Sequence, residues 1–288
     1  MNEKRVARNI EIPGINGKQV ICDIYGMKPI NRESGLRPAV IFLHGGGFVA
    51  GDKDQFLGMA ALLALEADIL CITVQYRLAT EAACPSQIID CYSVCNWLLH
   101  KQKSFSINPE LIFLAGGSPG ANIAAMAILS GQEHMHIMNV EKKNIFQPVN
   151  GIFLNGIYDL EEFYLQNQSE RERVKKYLGE KDIKKASMHF WSPIYAKKAG
   201  CNIWMLHGTC DEIVPLRQCM RMKQHLQENG SRAWIKIFPQ KHHAWFNSPE
   251  EVYSVVEEIT RCIKMREREV VDGGFKKSKR DIRSCDKK

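Results

Sequence analysis

The sequence predicts an α/β protein: one open, mostly parallel central sheet with helices on both faces. Three observations carry that expectation. Short apolar runs recur along the chain, and they are apolar at nearly every position rather than at alternate ones, as strands buried on both faces require. Amphipathic segments separate them, as crossovers between parallel strands demand. The composition, 45% hydrophobic and 25% charged, is that of a globular chain able to bury such a sheet, and it excludes a disordered or fibrous protein.

Taken in order, residues 5–26 contain two strand-like runs around Pro13-Gly14 and Asn16-Gly17 and are expected as an antiparallel edge hairpin. PAVIFLH (38–44) is a buried strand, DQFLGMAALLALEA (54–67) a helix and DILCITVQY (68–76) the next strand. Ser86, just after Pro85, is expected to cap a helix over 86–103. LIFLAGG (111–117) is a strand and ANIAAMAILS (121–130) a helix of small residues. NGIFLNGI (150–157), CNIWMLHG (201–208) and RAWIKIFP (232–239) are further strands. Helices are expected over 215–230, stopped by Gly230, and over 248–269. The charged stretch between strands 150–157 and 201–208 is longer than a plain crossover needs. Residues 158–197 are therefore expected as a small lid over the C-terminal strand ends, where open α/β sheets place their ligands. The whole of 1–288 is expected as a single domain, with 271–288 a solvated basic tail.

The excluded classes follow from charge and cysteine use. Net charge is +7, and residues 271–288 supply four of those charges, so the body is nearly balanced and no nucleic-acid partner is expected. No apolar run is long enough to span a bilayer, and the basic N-terminus leads into no apolar signal region, so a cytoplasmic location is expected. The ten cysteines sit mostly in apolar stretches and read as small buried hydrophobes, not as disulfides. No His/Cys cluster has zinc-site spacing, so neither metal nor other cofactor is expected.

Three features carry chemistry. Gly116-Gly117-Ser118-Pro119-Gly120 is a G-x-S-x-G between a strand and a helix, the setting of a nucleophile elbow. His44-Gly45-Gly46-Gly47 closes strand 38–44 and reads as an oxyanion-hole loop, since glycines let backbone N–H groups face a site. A phosphate loop is disfavoured, because no G-x-x-x-x-G-K-[ST] is present. Beyond strand 201–208 stands Asp211, with Glu212 beside it; beyond strand 232–239 stand His242 and His243. A serine hydroxyl needs a base to take its proton, and the base needs an acid to fix its tautomer. Serine, acid and histidine in that chain order, each after its own strand, supply the set.

These motifs resemble the hormone-sensitive-lipase-like branch of the α/β-hydrolase fold and its bacterial carboxylesterases. The resemblance covers most of 18–265. It is carried by HGGGFVAGD (44–52), VQYRLATE (74–81) with Pro85 and Asp90, GGSPGAN (116–122), GIYDL (156–160), HGTCDEIVP (207–215) and HHAWF (242–246). It implies Ser118 as nucleophile, His243 as base in preference to His242, Asp211 as acid in preference to Glu212, and the Gly46 and Gly47 N–H groups as oxyanion donors. The brief N-terminal region is similar to the short-capped acetyl- and feruloyl-esterase-like members.

The resemblance implies hydrolysis of a small carboxylic ester through an acyl-enzyme, with no cofactor; a homodimer is left open. Phe48, Tyr158, Trp191, Ile213, Trp245 and Phe246, all near strand ends, are expected as substrate walls, and their bulk favours a short acyl group such as acetyl. An amidase, thioesterase or formamidase with the same triad is the enzymatic alternative. A non-catalytic ligand-binding module is the other.

One departure matters. The residue after the nucleophile normally gives its N–H to the oxyanion, and here it is Pro119, which has none. Proline suits a first helical position. Its chemical effect is the loss of one donor, with Gly120 N–H a candidate replacement, and an attenuated hydrolase is expected.

Overall fold

In the computed structural model, residues 5–29 and 35–285 are described, the last of these, from 273, by backbone alone. The chain begins with β1 (Val6–Ile12) and β2 (Val20–Tyr25), an antiparallel hairpin whose tight connection holds a Gly17 N–H to Gly14 C=O bond of 3.0 Å. β3 (Arg37–Leu43) follows, buried at every position. A short 3-10 turn capped by Asp52 leads into α1 (Leu57–Glu66), then β4 (Leu70–Gln75) and α2 (Ser86–Lys101). β5 (Ile107–Gly117) and α3 (Pro119–Leu129) meet at Ser118. After α4 (Gln132–Ile137) comes β6 (Asn150–Leu154). The segment between β6 and the next strand folds into α5 (Leu160–Tyr164), α6 (Gln168–Leu178) and α7 (Lys185–Phe190). β7 (Asn202–Gly208), α8 (Leu216–Glu228), β8 (Arg232–Phe238) and α9 (Pro249–Cys285) complete the chain.

The eight strands form one sheet in the order β1-β2-β4-β3-β5-β6-β7-β8. The β1–β2 and β2–β4 pairs are antiparallel; every other pair is parallel. Continuous apolar strands thus lie in the parallel body, and the half-exposed β1 and β8 form its edges, where one side of the ladder meets water. Two cores flank the sheet. One joins one face of the sheet to α2, α3 and α8 through Ile88, Tyr92, Ile123, Met126 and Met222. The other packs α1 and α9 through Phe56, Leu63, Val255, Ile259 and Ile263.

Local details depart from expectation in two places. Ser86 does not cap α2: Pro85 occupies the N-cap, its carbonyl takes the N–H groups of Ile88 and Ile89, and no side chain caps the turn. The turn through Ala82–Pro85 already runs into the helix, so Ser86 falls one residue inside it. At the other end, the backbone of α9 continues through 271–285, a stretch expected as a tail; residues 286–288 lie outside the described residues. Among the described residues no helix is long and apolar enough to cross a membrane.

Candidate active site

The C-terminal ends of β3, β5, β6, β7 and β8 carry the site. At the end of β5 the chain turns directly into α3, and Ser118 takes φ 54°, ψ −117° at the corner. Such a backbone costs on the order of 1–3 kcal/mol and persists only where its surroundings fix it. Here the Ser118 N–H donates to Leu154 C=O at 2.9 Å, tying the corner to β6. Gly120 makes the turn tight enough: a Cβ there would stand 2.1 Å from the Leu43 carbonyl oxygen, so α3 can approach β3 only on glycine. Pro119 is the first residue of α3, where its missing N–H disturbs no helical bond.

The structure brings three distant side chains together. Ser118 Oγ lies 2.9 Å from His243 Nε2, and His243 Nδ1 lies 2.9 Å from both carboxylate oxygens of Asp211. A carboxylate only accepts, so Nδ1 carries the proton and Nε2 is free to accept from the serine hydroxyl. Asp211 is itself fixed by the N–H groups of Ile213 (3.0 Å) and Val214 (2.8 Å) and by the side-chain N–H of Asn155. Its burial favours the neutral acid, but the hydrogen bond and charge of His243, with the Val214 N–H and Asn155, outweigh that and hold the carboxyl below its usual range. His207, fully buried, donates from Nε2 to Val214 C=O at 2.8 Å and stands 3.4 Å from Asp211 Oδ2.

His242 and Glu212, the neighbours weighed in the sequence, are exposed and pair with each other at 3.2 Å on the rim.

The glycine loop after β3 faces the serine. Gly46 (φ 116°) and Gly47 (φ 62°) are both left-handed, and a Cβ on Gly46 would stand 2.1 Å from the Ala50 carbonyl oxygen. The Gly46 carbonyl turns back to accept from Val49 and Ala50, and among the described residues nothing accepts the Gly46 or Gly47 N–H. Tyr76 supports the loop from below: its hydroxyl donates to His44 C=O at 2.8 Å and its ring stacks on the His44 imidazole at 4.1 Å. Two donors beside an activated hydroxyl can bind a tetrahedral oxyanion.

A cavity of about 270 Å³ opens over Ser118 and His243, lined on its apolar side by Phe163, Ile213, Ala244 and Phe246. Ile213 and Phe246 are thus at the cavity. Phe48, Tyr158, Trp191 and Trp245 are not, and each has a packing reason. Phe48 is fully buried, with its ring stacked on Tyr177 of α6 at 3.8 Å. Tyr158 is fully buried beneath the β6 end, its N–H bound to Gln218. Trp191 packs edge-on against Phe190 and His134. Trp245 packs against Phe238 of the edge strand. Sequence reading missed Phe163 and Arg173, which line the cavity from α5 and α6, Asn155, which hydrogen-bonds the acid, and His207, which stands beside it. The charged run SERER holds Arg173, but nothing in a charge run tells which residue turns inward.

Comparisons with known proteins agree with this architecture. The BD-FAE family model matches residues 22–226. A probable isoprenylcysteine alpha-carbonyl methylesterase of Oryza sativa subsp. japonica is 25% identical over 76% of this chain and 56% of its own. An acetyl esterase of Salmonella paratyphi B is 29% identical over 75% of this chain and 76% of its own. The chain spans about half the length of the plant methylesterases it matches. The structure of Thermogutta terrifontis esterase 2 phosphonylated by sarin superposes with a TM-score of 0.70 at 21% identity, covering 96% of both chains. The fold is that of the α/β-hydrolases, with an eight-stranded, mostly parallel sheet.

Proposed function

Because the chain belongs to the BD-FAE family, we propose that it is a serine esterase that cleaves a short-chain carboxylic ester, acetyl-type, through an acyl-enzyme on Ser118. The observation that carries this reading is the unbroken hydrogen-bond chain from Ser118 Oγ through His243 to Asp211. Ser118 attacks the ester carbonyl as His243 takes its proton. Asp211, ionised and tied down by four donors, stabilises the imidazolium. Gly46 and Gly47 N–H groups hold the oxyanion. His243 then returns the proton to the leaving alcohol, and water releases the acid by the same steps reversed.

The small cavity supports a short acyl group, since about 270 Å³ is below the usual range of roughly 300–1,000 Å³ for drug-sized ligands. The acetyl esterase relative supports it as well. Residues 158–197, with α5, α6 and α7, form the lid of the site, and Phe163 and Arg173 are its contribution to the cavity. Pro119 removes one oxyanion donor and makes the enzyme slow. We propose a cytoplasmic location, on the free state of the nine cysteines whose side chains are described, most of them buried. The partner is a small-molecule ester.

The test is an acyl-length series of nitrophenyl esters. Turnover that is highest for acetyl or propionyl, falls for longer chains and vanishes in Ser118→Ala is expected. Equal turnover by Ser118→Ala would overturn the proposal.

A further inference from the structure

We infer that Arg173 selects esters that carry a carboxylate close to the scissile carbonyl. The inference rests on the esterase reading above and deepens it to a substrate class. Among the described residues, Arg173 is the one Arg or Lys lining the cavity that holds Ser118 and His243. It lies against the glycine loop: its Cδ, Nε and Cζ stand 2.7, 2.9 and 3.2 Å from where a Gly47 Cβ would be. A cation over the oxyanion loop is close to any substrate group next to the reacting carbonyl.

The guanidinium is held in place. Glu170, whose side chain is 4% exposed, binds Nη1 with both oxygens at 2.9 and 3.0 Å. Among the described residues nothing accepts from Nε or Nη2, so the side-on edge of the guanidinium is open. That edge is a planar two-donor fork matched to a carboxylate. Its helix is anchored too. Asn167 caps α6 through the Glu170 N–H at 3.1 Å, Tyr177 C=O accepts from Cys84 N–H at 2.7 Å, and Tyr177 stacks on Phe48. A rigid fork loses little freedom on binding.

Phe163, Ile213, Ala244 and Phe246 offer an acyl chain apolar contact, and the Gln55 amide oxygen is taken by the Gly45 N–H, so Arg173 is the charged feature of the wall. For a neutral ester, a fixed arginine in so small a cavity only takes up room. For an anionic ester it supplies orientation. Hydrolysis is unchanged in its balance: the acyl C–O bond breaks, the alcohol leaves with the proton from His243, and water supplies the new carboxyl oxygen.

The carboxylate can sit on the acyl or the alcohol side, and the test separates them. Specificity constants are measured for monomethyl succinate against methyl pentanoate, and for O-acetylglycolate against propyl acetate, by alcohol or acid release. A preference for the anionic member of about 10–100-fold is expected in one pair. Arg173→Gln removes that preference, and Arg173→Lys keeps part of it. Equal or lower rates for both anionic esters, or a preference that survives Arg173→Gln, would overturn the inference. If no ester is cleaved and a fluorophosphonate fails to label Ser118, the esterase reading falls. The arginine is then judged by calorimetric titration with succinate: binding lost in Arg173→Gln supports its role, and equal binding in both proteins refutes it. Should Arg173→Gln not fold, the wild-type ratios and Arg173→Lys decide.

Discussion

Asn155, at the end of β6, donates its side-chain N–H to Oδ2 of Asp211, beyond the end of β7. The two strands are neighbours, so the acid is oriented by the strand beside its own. Asn155 is fully buried and left-handed at φ 47°. Asn155→Gly, which keeps that backbone available, isolates the lost hydrogen bond. A bond to a charged acceptor contributes roughly 1.5–3 kcal/mol, so kcat is expected to fall about tenfold or more while KM changes little. Steady-state kinetics check it; a loss borne by KM alone would contradict a positioning role.

On the proposed mechanism Pro119, which has no N–H, leaves the oxyanion with fewer donors than the elbow normally supplies. Pro119→Ala restores one without altering the first turn of α3. Removal of a single such donor typically costs 10²–10³ in kcat, so a gain of up to about that size is expected with a short nitrophenyl ester. An unchanged kcat would count against the missing-donor account.

Gly120 fixes how closely α3 approaches β3. A Cβ at 2.1 Å from the Leu43 carbonyl oxygen has no flexible side chain to displace. Gly120→Ala is expected to destabilise the fold by about 3 kcal/mol and to lower the midpoint of thermal unfolding by several degrees. A midpoint equal to wild type would show that the elbow is looser than described.

The strands and the elbow were legible in the sequence because continuous apolar runs and a G-x-S-x-G between strand and helix each have one dominant physical reading. The strand ends gave Ser118, an acid at 211 or 212 and a histidine at 242 or 243; the choice of Asp211 and His243 within those pairs came from the family resemblance. The walls were not legible in the same way. Phe48 sits one residue past the glycine loop, but its backbone is left-handed (φ 68°) and its ring turns under Tyr177. Nearness to a strand end fixes where a backbone is, not which way its side chain faces. Arg173 was hidden for the opposite reason: in a helix as charged as α6, nothing in the sequence separates the arginine that lines the cavity from its neighbour Arg171, which packs over Tyr164.

Two fully buried histidines give the fold a pH dependence. Burial lowers the pKa of both His44 and His207, against the raising effect of the Gly45 and Val214 carbonyls. Below pH ~6.5 the unfolded chain binds protons that the folded one refuses. Stability is therefore full above that pH and declines as pH falls below it, by at most about 1.4 kcal/mol per pH unit for each histidine. Urea unfolding at pH 7.0 and 5.5 is expected to show the decline, and His44→Gln to show a smaller one. The same slope in both proteins would exclude His44 as a cause.

The account depends on Ser118 being a nucleophile made reactive by the imidazole beside it. Intact-mass and peptide spectrometry after exposure to a fluorophosphonate tests this most directly. One adduct per chain, on Ser118, absent in Ser118→Ala and strongly slowed in His243→Ala, is the predicted result. A folded wild-type protein that takes up no adduct, or takes it up on another residue, would contradict it.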